Sequence, residues 1–236
     1  MEIGDILKNK KLVLFDFDGT LTETAHPHPQ IIKKLLKNFR IEISLSEVKR
    51  EFERLPAEMS DLEKIYVTAR EIFAKNGLKF DLTETNKEEI WKAAEDVYCE
   101  ELNLRKNASE FIAKLRATGK TITIVTNSFD RLMQAFKHSD QIKNFDKVIN
   151  HVVTRNDVKN PKPNPEIYQH TVGCYKDILR NEIIVFEDST EGIRAALDAG
   201  LDVIQVESGE IENDKVFAGT GRAKVVGKIK GFDELI

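Results

Sequence analysis

The run Leu12-Val13-Leu14-Phe15 is wholly apolar and is followed at once by Asp16-Phe17-Asp18-Gly19-Thr20-Leu21. Four apolar residues in succession describe a strand buried on both faces, the kind found in the middle of a parallel sheet. A carboxylate at the end of such a strand is costly unless it is paired or bound to a metal, and here two stand on alternate positions. An exposed turn at Asp18-Gly19 would account for Asp18 and leave Asp16 unexplained. The pair therefore marks a reaction site.

The same pattern returns along the chain. Thr121-Ile122-Thr123-Ile124-Val125 is a β-branched run ending in Thr126-Asn127-Ser128, and Glu182-Ile183-Ile184-Val185-Phe186 ends in the adjacent acids Glu187-Asp188. A further strand is expected over Val148-Ile149-Asn150-His151-Val152-Val153, before Lys159-Asn160-Pro161-Lys162-Pro163-Asn164-Pro165. Helical spacing over 109–116 stops at Gly119, and a second helix opens on Ser189-Thr190 and closes at Gly200 before a strand over 201–206. Strand, helix, strand in this rhythm is the βαβ signature of an α/β fold. In an open parallel sheet the carboxyl ends of the strands share one edge, where ligands sit. Asp16, Asp18, Thr126, Glu187 and Asp188, with Lys162 from its loop, are expected to converge there. Acid, hydroxyl and amine on one rim suit a divalent cation and a phosphoryl group.

The stretch from about residue 30 to 102 differs in kind. It holds no convincing strand but three S/T-x-x-E patterns, Ser44 with Glu47, Ser60 with Glu63 and Thr85 with Glu88, each expected to open a helix. Apolar stripes follow at helical spacing: Ile31, Ile32, Leu35, Leu36 and Phe39; Val48, Phe52 and Leu55; Leu62, Ile65, Tyr66, Ala69, Ile72 and Phe73; Ile90, Ala94, Val97 and Tyr98. Such spacing means the core of a helical bundle. Inserted directly after the two carboxylates, a bundle has the position of a lid that excludes water and selects substrates.

Taken in order, Asp16-Phe17-Asp18-Gly19-Thr20-Leu21, Thr126, Lys162-Pro163-Asn164-Pro165 and Glu187-Asp188-Ser189 resemble the active-site motifs of the haloacid dehalogenase-like superfamily of phosphatases and phosphomutases. The likeness covers nearly the whole chain. The inserted helices look like the family's α-helical cap, in the subgroup that contains β-phosphoglucomutase and phosphoglycolate phosphatase. The resemblance implies an α/β, Rossmann-like parallel sheet core over 1–22 and 105–236 and a helical cap over 23–104.

What it implies for chemistry is a Mg²⁺-dependent phosphatase acting on a small phosphorylated metabolite through an aspartyl-phosphate on Asp16. Asp16, the backbone carbonyl of Asp18 and Asp188 would hold Mg²⁺, with Glu187 beside them. Lys162 would set positive charge against the phosphoryl oxygens, and Thr126 and Asn127 would lie on the phosphate side. Asp18 would act as general acid and then general base, which sets phosphoryl transfer apart from dehalogenation. His28 matches the spacing of a hinge histidine in β-phosphoglucomutase and is grouped with the substrate-binding residues. Glu23 in place of the usual Asp, and the prolines flanking that histidine, weigh against the mutase alternative. A catalytically idle ligand-binding fold is a third reading, set against the fact that every expected catalytic position is filled.

Composition bounds the remainder. The 236 residues suffice for one sizeable core and a smaller inserted domain, and a net charge of −4 with acids and bases interspersed gives no electrostatic case for a nucleic-acid partner. No apolar stretch is long enough to span a bilayer, and the start of the chain is unlike a signal peptide. Cys99 and Cys174 read as reduced thiols. A cytoplasmic monomer without membrane association is the expectation. The polar stretch over 209–224, with Gly219-Thr220-Gly221, reads as a loop before Val225-Val226.

Overall fold

The computed structural model describes residues 2–24, 26–56, 59, 61–139, 145–208 and 222–236. The chain divides into two compact units, one of Met1–Ala25, Asn103–Met133 and Gln141–Ile236, the other of His26–Leu102 and Gln134–Asp140.

The first unit is built on a parallel sheet. Its strands are β1 (Leu12–Phe15), β2 (Thr121–Val125), β3 (His151–Val153), β4 (Ile183–Glu187), β5 (Val203–Val206) and β6 (Val225–Ile229), in the spatial order β3-β2-β1-β4-β5-β6. Strands β2 and β3 step out on one side of β1, and the chain then returns to place β4 on its other side; in open α/β sheets ligands sit at such a switch point, here the carboxyl ends of β1, β2 and β4. Register sharpens this. Phe15 is level with both Ile124 and Phe186, which sets Asp16 level with Glu187. Helices α6 (Ala108–Ala117), α9 (Glu166–Gly173) and α10 (Thr190–Asp198) pack on the strands.

Alternation along a strand sends successive side chains to opposite faces. Leu12 and Leu14 of β1 and Ile183 and Val185 of β4 join Ile167, Tyr168 and Ile193 from α9 and α10 in one buried layer. On the other face Phe15 stacks on Phe186 at 4.8 Å, and Phe111 of α6 stacks on Phe232 at 5.5 Å and meets Phe15 edge-on at 6.2 Å. Asp16 and Glu187 thus continue the first layer, while aromatic rings brace the residues just before them from the other side.

Three expectations for this unit are corrected. The strand expected from Val148 begins at His151, because Val148 ends a short helix, α8 (Phe145–Val148). Asn150 then takes the first ladder bonds itself: its amide donates to Ile122 O at 2.8 Å and its side-chain oxygen accepts from Ile122 N at 2.9 Å. Residues Leu201 and Asp202 precede β5 rather than belonging to it. Strand β4 runs on through Glu187, so that acid is part of the strand.

In the second unit α2 (His28–Asn38) packs against α3 (Leu45–Glu53), α4 (Asp61–Lys75) and α5 (Glu84–Asp96). Ser44 and Glu47 form the reciprocal capping box, each side chain accepting the other residue's amide. At the start of α5 the cap is Thr83 rather than Thr85: its hydroxyl takes the Asn86 amide, which places Thr85 inside the first turn. Ser60, expected as a cap with Glu63, lies outside the described residues, as does 209–221 of the polar tail. The stripes from α2 to α5 bury Ile31, Ile32, Leu35, Leu36, Val48, Phe52, Ile65, Ala69, Ile72, Phe73, Ile90 and Ala94, whereas Phe39 and Leu62 are exposed. No helix among the described residues is long and apolar enough to cross a membrane.

Phe232 is the test of the aromatic brace. It is fully buried, and Phe232→Ala is expected to cost about 3–5 kcal/mol by leaving a ring-sized cavity. The urea midpoint of the unit that contains it measures this.

Candidate active site

Each side chain of the site reaches the sheet's carboxyl edge for a local reason. Asp16 follows the last residue of β1, and its amide donates to Phe186 O at 3.0 Å, which extends the β1–β4 ladder by one residue. Lys162 comes from the loop after β3. Its backbone is gripped by Asn127, whose side-chain oxygen accepts Lys162 N at 3.0 Å and whose amide donates to Lys162 O at 3.1 Å. Thr126 is buried, its hydroxyl oxygen accepting the Ser128 amide at 3.0 Å.

The ammonium of Lys162 spends all three of its protons. It donates to Asp16 Oδ1 at 2.6 Å, Glu187 Oε1 at 2.6 Å and Val125 O at 2.8 Å. Burial alone would lower its affinity for a proton, but the Asp16 and Glu187 carboxylates outweigh that and raise it above the ordinary lysine value. Lys162 is therefore a fixed positive charge. Asp16 is pushed well above the usual carboxylate range, first by burial and then by Glu187, with Lys162 pulling the other way and Asp188 adding to the push.

Glu187 accepts from five donors. Tyr168 donates to Oε1 at 3.0 Å alongside Lys162, and Oε2 accepts from Asp188 N, Ser189 N and Ser189 Oγ at 3.1, 3.2 and 3.1 Å. The last two come from the N-cap of α10, where free amides and the helix dipole favour an anion. Gly192 makes room: a Cβ on it would fall 1.7 Å from Glu187 Oε1. Thr20 donates to Asp188 Oδ1 at 2.7 Å, and Ser128 donates to Asp18 Oδ2 at 2.5 Å.

Asp16, Glu187 and Asp188 are buried, with one carboxylate oxygen from each lying within 4.8 Å of the others. Three buried acids around the ammonium of Lys162 make an oxygen-rich site. A hard divalent cation with oxygen ligands fits that donor set. Asp16 and Asp188 suit it better than Glu187, whose two oxygens already accept from five donors.

Of the residues singled out from sequence, Asp16, Asp18, Thr126, Asn127, Lys162, Glu187 and Asp188 all belong to the first unit, and hydrogen bonds link Asp16, Lys162 and Glu187 directly and Asn127 to Lys162. His28 belongs to the second unit. Its ring stacks on Phe52 at 5.5 Å, and its Nε2 lies 3.8 Å from Asp61 Oδ2. Sequence reasoning missed Tyr168, Ser128 and Gly192. Only Gly192 carries a local signal, since glycine in the first turn of a helix weakens it without a packing reason.

Two outcomes follow from these charges. Lys162→Met is expected to destabilise the metal-free protein by about 3–5 kcal/mol, because it strands buried carboxylates, and saturating Mg²⁺ should recover part of the loss in a urea titration. Burial lowers the His28 pKa, with Asp61 opposing and His26 and Lys64 adding to it, so the unfolded chain binds the proton more readily. Stability should fall as pH drops below the ordinary histidine value, and His28→Gln should flatten that limb in thermal melts.

Comparisons with known proteins agree with this geometry. Residues 10–200 match the model of the haloacid dehalogenase-like hydrolases. The chain is 24% identical over 220 residues to a phosphorylated carbohydrates phosphatase of Thermotoga maritima, covering 91% of this chain and 93% of that protein. It is 25% identical over 208 residues to (DL)-glycerol-3-phosphatase 2 of Arabidopsis thaliana, covering 82% and 78% respectively. The crystal structure of CbbY from Rhodobacter sphaeroides in complex with phosphate shares the fold, with a TM-score of 0.68, 21% identity and 96% coverage of both chains. With its acids, lysine and strand order in place, the chain belongs to the haloacid dehalogenase-like hydrolases.

Proposed function

We propose that this hydrolase is a phosphatase that cleaves a small phosphate monoester, a sugar or polyol phosphate, with Asp16 as nucleophile. The observation that carries the reading is the Lys162 ammonium fastened between Asp16 and Glu187, each at 2.6 Å, with Asp18 two residues beyond Asp16. The two relatives named as phosphatases, one for phosphorylated carbohydrates and one for glycerol 3-phosphate, support the substrate class.

Lys162 occupies Oδ1 of Asp16, which leaves Oδ2 as the attacking oxygen. Attack on phosphorus forms the aspartyl-phosphate while the bond from phosphorus to the ester oxygen breaks, and Asp18 delivers a proton to the departing alkoxide. Water then attacks the acyl-phosphate and gives its proton to Asp18. Inorganic phosphate leaves and the Asp16 carboxylate is restored. Lys162 offsets the negative charge that gathers on the phosphoryl oxygens, and it is already oriented before substrate arrives. Glu187 serves by holding Lys162. Asp16, the Asp18 carbonyl and Asp188 are the groups to hold Mg²⁺, which when bound neutralises phosphoryl charge.

Phosphate release from a panel of sugar phosphates and glycerol phosphate, with and without Mg²⁺, tests the assignment. Asp16→Asn and Asp18→Asn are each expected to lower kcat by about 10³-fold or more. Isomer interconversion without phosphate release would overturn the hydrolase reading in favour of a mutase.

A further inference from the structure

The segment that follows Asp16 makes a tight turn. The amides of Leu21 and Thr22 both donate back to Phe17 O, at 2.9 and 3.1 Å, and the carbonyls of Gly19, Leu21 and Thr22 accept from outside the turn. One residue supplies them. Arg105 donates from Nε to Gly19 O at 2.8 Å and to Thr22 O at 3.3 Å, and from its backbone amide to Leu21 O at 2.8 Å. Its Nη1 also reaches Lys230 O at 3.4 Å, next to the C-terminal turn that carries Phe232.

The turn is held from its other side as well. Gly19 has a φ of 83°, and its amide donates to Thr22 Oγ1 at 3.2 Å. That amide shares a peptide plane with the Asp18 carbonyl, so the bond sets the direction in which the carbonyl points. The next peptide carries the Gly19 carbonyl, which Arg105 holds. The planes on both sides of Gly19 are thereby fixed, and Asp18 sits at the edge of the first.

We infer that Arg105 is a positioning residue of the reaction. It closes the open end of the catalytic turn and so keeps the Asp18 side chain and carbonyl in register with Asp16, without touching substrate. The inference rests on the roles given to Asp16 and Asp18 above. A guanidinium suits the task because its planar, permanently charged group offers several donors in a rigid arrangement; a lysine ammonium is a single point on a flexible stem.

Kinetics with an aryl phosphate at saturating Mg²⁺, calorimetric titration of Mg²⁺ and thermal melts on wild type, Arg105→Met, Arg105→Lys and Arg105→Ala test this. Arg105→Met is expected to lower kcat by about 30- to 100-fold, the scale of a displacement of roughly an ångström at the reacting groups, and to leave KM within about threefold. Its Mg²⁺ affinity should fall about tenfold, as for other groups that orient a metal's ligands. Arg105→Lys should fall between it and wild type, and guanidinium ion should restore part of the kcat of Arg105→Ala.

A folded Arg105→Met that keeps its kcat within about twofold, a loss confined to KM, or no guanidinium rescue overturns the inference. If Arg105→Met does not fold, Arg105→Lys decides, and wild-type turnover from it overturns the role of the planar group. An inactive wild type would count against the phosphatase reading instead. The Mg²⁺ affinities then carry the test, and equal values in wild type and Arg105→Met overturn the inference.

Discussion

The ammonium of Lys162 is the contact on which the site depends. Asp16, just past β1, and Glu187, the last residue of β4, lie at the same level, 171 residues apart in the chain, and two carboxylates so placed would repel one another in a buried setting. Lys162 answers both and anchors its third proton on the carbonyl of Val125, which ends β2. Three strands of the sheet thus meet on one nitrogen. Asn127, two residues past the end of β2, grips the backbone that carries it. A lysine is a long chain with many rotamers, and fixing it costs conformational entropy. Here that cost is met in folding, before any ligand arrives.

Around this contact lies a second layer with no charge of its own to contribute. Tyr168 donates to Glu187, and its ring lies beneath Lys162, with the ammonium 5.2 Å from the ring centroid. The α10 N-cap supplies backbone amides, and Gly192 withholds a side chain where one would collide. Glu187 is therefore the acid on which helix, tyrosine and lysine converge. Asp16, by contrast, accepts from Lys162 on Oδ1.

Much of this was legible in the sequence, because burial makes charge conspicuous. Asp16 and Glu187 stand out only by interrupting runs that otherwise read as interior strand, and β1, β2 and β4 were readable from the same runs. The helices of the second unit followed from their spacing and, at Ser44, from a true capping box. The weaker readings failed where side chains imitate backbone. Asn150 takes the ladder bonds that would have begun β3, and Thr83 caps a helix two residues ahead of the better-looking Thr85. Tyr168, Ser128 and Phe232 left no trace, since a tyrosine in a helix, a serine after a strand and a phenylalanine near the chain's end are ordinary until their distant partners are known.

The route of the chain out of the sheet unit and back has a consequence of its own. Thr22 and Leu104 form an antiparallel bridge, with Glu23 N donating to Asn103 O at 2.9 Å on one side and Arg105 N to Leu21 O on the other. The outgoing and returning segments are thus zipped together before the intervening residues begin. Whatever lies between them is a closed excursion whose ends are already paired, and its length and contents place no tension on the strand register. Such a junction carries the chain out of the sheet unit and back at one place, so that both crossings are held by the same short ladder.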